Sequence, residues 1–199
     1  TTEKISSILY SEGLEKGSFY LAYCPERIIP GRALIELVEN DRVVGGIDKQ
    51  SSRKATAFYE SYVKGEVHMT NAATAELCKL AENSFRDVNI AFANELSIIC
   101  EKNDINAWEL IKLANKHPRV NILNPGTGVG GHCISVDPWF IVAQNPTESK
   151  LITTARHVND YKPDWVAKKI IDTLIKRSLD VSKSKVALFG LAFKPDIDD

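Results

Sequence analysis

Residues 71–102 repeat apolar side chains at helical spacing, through Leu77, Leu80, Ala81, Val88, Phe92 and Ile99. At about 1.5 Å per residue this run makes a helix close to about 45 Å long, more than a small domain needs. A helix of that length braces two lobes or forms the seam of a dimer, and the rest of the chain must be arranged around it.

The segments before it alternate between helix and strand. Residues 3–15 carry Ile5, Ile8, Leu9 and Leu14 on one helical face, with Gly17 as a stop. "FYLAYCPERI" then reads as a buried strand ending at Pro25, and "DRVVGGID" as a second one. A helix over 51–64 and a short strand at "EVHMT" come next. This rhythm predicts a parallel α/β sheet. Beyond the long helix come a turn at 103–106, a helix at "AWELIKLANK" that breaks before Pro118, and a glycine-rich loop. Helices over 149–160 and 163–177 are expected to be separated near Pro163, whose ring disrupts a continuous helix. The final "KVALFGLAFKPDIDD" reads as a buried strand and a glycine turn. The expected fold is α/β with a central helical dimerisation domain, in an internal piece of a longer protein. Its expected parts are the end of one α/β domain at 1–69, the helical middle at 70–183 and the start of another domain at 184–199.

Composition narrows the function classes. Of 199 residues, 44% are hydrophobic and 26% charged, and the formal net charge is -1, so no field draws the chain onto nucleic acid or a membrane surface. There is neither a leader pattern nor an apolar run approaching the roughly 20 residues of a membrane span, which reads as cytoplasmic. Cys24, Cys78, Cys100 and Cys133 lack framework spacing and are expected as free thiols. Cys78 and Cys100 sit at apolar helical positions as core fillers, and Cys24 closes a strand-like run.

Cys133 differs, because it lies just after the glycines of "NPGTGVGGHCISVDPWF". Gly126, Gly128 and Gly131 fit a G-x-G-x-x-G pattern, but a dinucleotide-binding turn needs a strand before it and a helix at its last glycine. Pro125 precedes the first glycine and Pro138 interrupts the segment after the last, so the match is read as accidental. The glycines instead allow a flat ligand to lie against the loop and leave Cys133 uncovered. A reactive thiol needs groups that stabilise charge on the carbon it attacks. Lys79 and Asn83, four residues apart on the long helix, share a face and offer such groups. The competing reading makes Lys79 a snorkelling side chain and Asn83 a cap on a backbone group. Asp137 is either a base or the cap of a turn before Pro138, and His132 adjoins the thiol, though neighbouring side chains often diverge.

The blocks "CPERI", "ELCKLAENSFRDVNIAFANEL", "NPGTGVGGHCISVDPWFIV", "ARHVNDYKP" and "LFGLAFKPDIDD" resemble, in order, the signatures of the nucleotide-sugar 6-dehydrogenases, the UDP-glucose/GDP-mannose dehydrogenase family. "GVGGHC" with "VDPWFIVAQNP" is most similar to the branch acting on UDP-N-acetyl-D-mannosamine. The resemblance implies Rossmann-like outer domains and oxidation of a sugar C6 alcohol to a carboxylate with two NAD per turnover. The length and two-sided apolar positions of the long helix independently predict a homodimer through it. By match to the motifs the resemblance makes Cys133 the nucleophile, Lys79 and Asn83 the oxyanion stabilisers, Asp137 the assisting carboxylate, and Glu26 of "PERI" the residue linked to the hydrolytic water. Substrate contacts are implied for Arg119 (from the partner subunit), Asn124, Gly126, Gly128, Gly130 and Gly131, and for Phe193 and Lys194 in the last block. Two departures stand out. Pro30 occupies the place where some UDP-glucose enzymes have a second acidic residue, and the NAD fingerprint is expected upstream of Thr1.

Three alternatives remain open on the sequence. The piece could serve as a dimerisation module without turnover. The substrate could be UDP-N-acetylglucosamine or UDP-glucose, since no residue reads the sugar C2 configuration. Cys133, His132, His157 and Asp137 could hold zinc, but they lack the paired spacing of a metal site.

Overall fold

A computed structural model describes residues 1–29 and 31–190. They form α1 (Thr2–Ser11), β1 (Ala22–Tyr23), α2 (Ala33–Glu39), β2 (Arg42–Gly46), α3 (Lys49–Glu60), β3 (Val67–Asn71), α4 (Ala72–Lys102), α5 (Ala107–Ala114), α6 (Asp137–Gln144) and α7 (Lys150–Lys176). The chain divides into two compact units, Thr1–Glu82 and the part from Asn83 onward, with α4 contributing to both. Among the described residues no helix is long and apolar enough to cross a membrane.

The first unit is built on a sheet of order β1-β2-β3. β2 and β3 run parallel, with Arg42 opposite Val67 and Gly46 opposite Asn71. β1 is antiparallel to β2, so the sheet is mixed where a parallel one was expected. β1 is also far shorter than the expected strand through "FYLAYCPERI". It has a partner on one side only, and Pro25, lacking an N–H, cannot extend the ladder. α3 packs on the sheet. Asp48 caps it by accepting from Ser51 N–H at 2.7 Å, a bond that holds the Asp48 carboxyl below its usual range. α2 has an inverted pattern: Glu36 is buried and accepts from Ile29 N–H at 2.8 Å, while Leu34 and Ile35 are exposed. No amphipathic periodicity announces such a helix.

The second unit consists of the rest of α4 with α5, α6 and α7. Its interior departs from the apolar stripe read in the sequence. Phe92 and Ile99 are about half exposed, at 52% and 49%, whereas Asp87 and Asn94 on the same helix are at 0%. The buried face of α4 carries small and polar residues, Asn83, Ser84, Asp87, Ala91 and Asn94. Opposite them α7 presents Arg156, Asn159 and Lys162, all buried. Arg156 Nη1 donates to Asp87 Oδ1 at 2.6 Å and its Nη2 to Asp160. Asn159 Nδ2 donates to Asp87 Oδ1 at 2.8 Å, and Asn94 Nδ2 donates to Asn159 Oδ1 at 2.9 Å. Lys162 Nζ donates to Ser97 Oγ and to the Asn94 carbonyl, 3.4 Å away, and lies 4.2 Å from the Trp165 ring centre. Burial pushes the Asp87 carboxyl up, against the pull of Asn159 and Arg156.

Two further expectations are corrected. α7 runs through Pro163 as one helix. The break expected there is countered by Arg156, Asn159 and Lys162, whose bonds to α4 fix the turns leading into the proline. The expected strand over "KVALFG" is not formed: 184–190 is irregular and mostly exposed, with Phe189 at 95%, and among the described residues no strand lies beside it to complete a ladder. The remainder of that block, with Phe193 and Lys194, and Pro30 lie outside the described residues.

Two outcomes are expected. Arg156→Met leaves the Asp87 carboxylate buried without its counter-charge and lowers stability by about 3–5 kcal/mol, whereas Asp87→Leu added to it recovers part of the loss. Urea unfolding of the single and double variants checks this. Burial lowers the Lys162 ammonium below the ordinary lysine value, with Lys169 adding repulsion and Glu101 opposing it. In the window between the lowered folded value and the ordinary one, near about 10.4, the unfolded chain binds a proton that the folded chain lacks. Stability relative to Lys162→Met therefore rises with pH across that window, and comparing the two proteins' unfolding free energies at about pH 7 and about pH 10 tests the sign.

Candidate active site

The glycine loop is irregular from 121 to 130 and reaches α6 through a turn. Gly131 has φ +82°, a left-handed backbone that a side chain disfavours, and its carbonyl accepts from Ser135 Oγ at 2.7 Å. The Cys133 carbonyl then accepts from Val136 N–H at 3.1 Å and Asp137 N–H at 2.8 Å, closing the turn in which α6 begins. Pro138, read as an interruption, sits at the start of α6, where a missing N–H costs nothing. This proline next to Asp137 was the signal for a helix start. The element before Gly126 is helix α5 and not a strand, and the next helix opens at Asp137 and not at Gly131, so the loop lacks the shape of a dinucleotide turn.

Within the second unit the structure brings together three of the residues singled out in the sequence. Cys133 is exposed, in contrast to buried Cys100 and half-buried Cys24 and Cys78. Asp137 stands one turn along, and its Oδ2 accepts from Asn83 Nδ2 at 2.5 Å. Asn83 is nearly buried, and its amide is directed at this carboxylate and not at a backbone group. An amide has two N–H donors, and Asp137 takes one. His132 is exposed beside the thiol. His157 lies against Trp139, ring centres 5.8 Å apart. Among the described residues no three His, Cys, Asp or Glu side chains gather as metal ligands.

The first unit holds the other pair. Lys79 Nζ donates to the Glu26 backbone carbonyl at 2.7 Å, and the Glu26 carboxylate accepts from Ile28 N–H. An ammonium has three donors, so this contact leaves Lys79 others to offer. Arg27, between them, forks onto Glu82 of α4 with Nε at 3.2 Å, and the carboxylate raises its affinity for the proton. Cys78 is part of this contact: its thiol donates to Glu82 Oε1 at 3.6 Å and is pushed up chiefly by burial. "PERI" is thus tied to α4 by Lys79 and by Glu82. The Arg27–Glu82 link is invisible in the sequence, since nothing in the spacing of residues so far apart pairs them.

At the carboxyl ends of the parallel strands β2 and β3 a cavity of about 290 Å³ opens, lined among others by Gly46, Asp48, Met69, Thr70 and Asn71. In doubly wound sheets, ligands sit outside this end of the strands. Of the remaining predicted residues, Arg119, Asn124, Gly126 and Gly130 are exposed, and Arg119 N–H donates to His117 Nδ1 at 3.3 Å. Gly128 faces Pro163 of α7, with no room for a side chain between them. The polar cluster between α4 and α7 was also missed. Its trace in the sequence is Arg156, Asn159 and Lys162, polar residues three apart in "ARHVNDYKP".

Comparison with known proteins places these features in a family. Residues 1–63 match the NAD binding domain of the UDP-glucose/GDP-mannose dehydrogenase family, and residues 73–161 match its central domain. The chain is 62% identical over 185 residues to the UDP-N-acetyl-D-mannosamine dehydrogenase of Campylobacter jejuni, covering 93% of this chain and 44% of the relative. Identity to the protein of the same name from Escherichia coli strain K12 is 59% over 189 residues, covering 93% and 45%. The structure of the UDP-N-acetyl-mannosamine dehydrogenase of Staphylococcus aureus superimposes with a TM-score of 0.84 at 46% identity, over 98% of this chain and 46% of that one. The chain therefore spans less than half the length of each of these relatives. Two matches from two domains of one family, with relatives this similar across nearly the whole sequence, establish that the chain belongs to the UDP-glucose/GDP-mannose dehydrogenase family.

Proposed function

We propose that this chain is the central part of an NAD-dependent dehydrogenase that oxidises C6 of a UDP-sugar, UDP-N-acetyl-D-mannosamine, to UDP-N-acetyl-D-mannosaminuronate in the cytoplasm. The observation that carries the reading is the exposed Cys133 thiol in the turn where Asp137, held by Asn83, opens α6. The sugar assignment is supported by relatives named for that substrate. UDP-N-acetylglucosamine and UDP-glucose are the competing substrates, and a dimerisation module without turnover is the competing function. On this reading residues 1–69 complete an NAD-binding domain, 70–183 form the central domain and 184–199 begin the nucleotide-binding one.

NAD, when bound, would supply the hydride acceptor, one NAD molecule for each of the two oxidation steps. The cavity at the ends of β2 and β3 suits it, combining an apolar wall from Met69 with the polar groups of Thr70 and Asn71. The chain's own residues do the rest. Once the C6 alcohol has become an aldehyde, Cys133 Sγ bonds to the carbonyl carbon and the carbonyl oxygen takes up the displaced electron pair as an oxyanion. The donors that Lys79 and Asn83 do not spend on Glu26 and Asp137 stabilise that charge. Loss of hydride from the thiohemiacetal leaves a thioester, and water attacks it to give the carboxylate and return the thiol. Glu26 is assigned to that water, and Asp137 to assisting the water or taking the thiol proton. Substrate contacts are assigned to Asn124, Gly126, Gly128, Gly130 and Gly131, and to Phe193 and Lys194.

The partner is a second copy of the chain. Phe85, Phe92 and Ile99, spaced by seven along α4, leave an apolar stripe exposed, with Phe85 at 71%. Continuous exposed apolar surface of this kind marks an interface. Arg119 is assigned to the partner's substrate.

Two experiments on the full-length protein test these readings. NADH release across a panel of UDP-sugars is expected to be fastest with UDP-N-acetyl-D-mannosamine, and Cys133→Ala to abolish acid formation while sugar-nucleotide binding persists. In the same series Lys79→Ala and Asn83→Ala lower kcat by on the order of a hundredfold with smaller changes in KM, because the oxyanion exists in the tetrahedral species and not in the bound alcohol. Normal acid production by Cys133→Ala refutes the mechanism. For the partner, light scattering is expected to give a dimer mass for the wild type and a monomer mass for Phe85→Glu with Phe92→Glu; a monomeric wild type refutes the interface.

A further inference from the structure

A loop without regular structure is held only by individual contacts: the Asn115 side chain pairs with the Ile122 backbone where the loop that presents Cys133 begins, and two further contacts lie at its glycines. Gly126 N–H donates to Asn94 Oδ1 at 2.9 Å. Two residues on, Gly128 lies so close to α7 that a Cβ would stand 2.9 Å from Pro163 Cγ. On its other side the loop is unsupported: Pro125, Gly126 and Thr127 border a cleft of about 680 Å³ that extends to Ser97 and Lys162.

Asn94 is built to hold a fixed orientation. It is fully buried on α4, its Nδ2 donates to Asn159 Oδ1 at 2.9 Å, and Asn159 is itself bonded to the Asp87 carbonyl at 3.0 Å. A turned-over amide would set N–H against the Gly126 N–H and carbonyl against carbonyl, so only one orientation satisfies both ends. Joining α4 to α7 needs the Nδ2 alone. The Oδ1 is spent on the loop.

We propose that Asn94 and Pro163 are positioning residues that set the Cys133 loop, Asn94 by accepting from Gly126 and Pro163 by seating Gly128. The proposal rests on the reading of Cys133 as nucleophile, but its test does not.

Hydrogen exchange of peptides covering 121–136, beside those of α4 and α7, is measured in the full-length protein together with steady-state rates. Asn94→Ala is expected to speed exchange in the loop by roughly tenfold, the worth of one hydrogen bond, while α4 and α7, which lose the Asn94–Asn159 bond but keep the Arg156–Asp87 pair, lose less protection, and to lower kcat more than it raises KM. Gly128→Ala forces the loop off Pro163 and reproduces the Asn94→Ala signature without touching the polar cluster. The proposal is overturned if loop exchange in Asn94→Ala is unchanged or if it rises no more than exchange in the helices. Should Asn94→Ala fail to fold, Gly128→Ala decides, and wild-type exchange and kcat in that variant overturn the proposal. Acid production by Cys133→Ala would remove the nucleophile while leaving the exchange result standing, so the two failures are told apart.

Discussion

The buried ion pair between Asp87 and Arg156 is the contact on which the second unit depends. A carboxylate and a guanidinium removed from water are stabilised only when their remaining hydrogen-bonding capacity is met, and here Asn159 and Asp160 meet part of it. Among the described residues, Asp87 Oδ2, Arg156 Nε and Ser84 Oγ nevertheless have no hydrogen-bond partner. Such an interior is expensive, and it confers register. A greasy seam between α4 and α7 could slide by a turn at small cost, whereas an Arg–Asp fork flanked by an Asn–Asn pair is satisfied in one alignment. That alignment sets where Asn94 meets Gly126 and where Pro163 meets Gly128.

Polar packing inside leaves the large apolar side chains of α4 outside. Phe85 and Phe92 point away from the residues that join α4 to α7. An apolar residue is exposed at little cost when it is single, and Phe85, Phe92 and Ile99 are exposed at every seventh position. The polar interior and the apolar exterior are thus one arrangement: specificity within the unit comes from the buried charges, and the large apolar side chains are left on the surface.

Much of this was legible in the sequence wherever a local pattern carries the information. The long helix, β2, β3, α3 and α5 arise from periodicity and turn residues, and Cys133 was separable from the other cysteines because glycines cannot cover it. The failures share a physical origin in pairings between distant residues. Phe92 and Ile99 mark a helix correctly but not which face is buried, since the buried face there is chosen by partners on α7 some 70 positions away. The short β1 and the unbroken α7 are likewise decided by neighbours, an edge position in one case and buried anchors before the proline in the other. The Asn83 contact was half legible: its helical face was right, and its partner, a carboxylate and not a backbone group, required the fold.

That partner changes how Asn83 and Asp137 divide their work. A carboxylate whose one oxygen accepts an amide N–H is held in a single orientation, so Asn83 aims the other oxygen of Asp137 while spending one donor to do so. The same amide is fixed by that bond, and its second N–H therefore points in a determined direction instead of rotating. Lys79 obeys the same logic in the first unit, where the Glu26 carbonyl takes one of its three donors and directs the ammonium. Donors fixed in advance need no reorganisation when charge develops, which is the property an oxyanion site requires. The two roles open to these residues, structural and catalytic, are therefore not exclusive: the structural bond is what gives the remaining donors a direction.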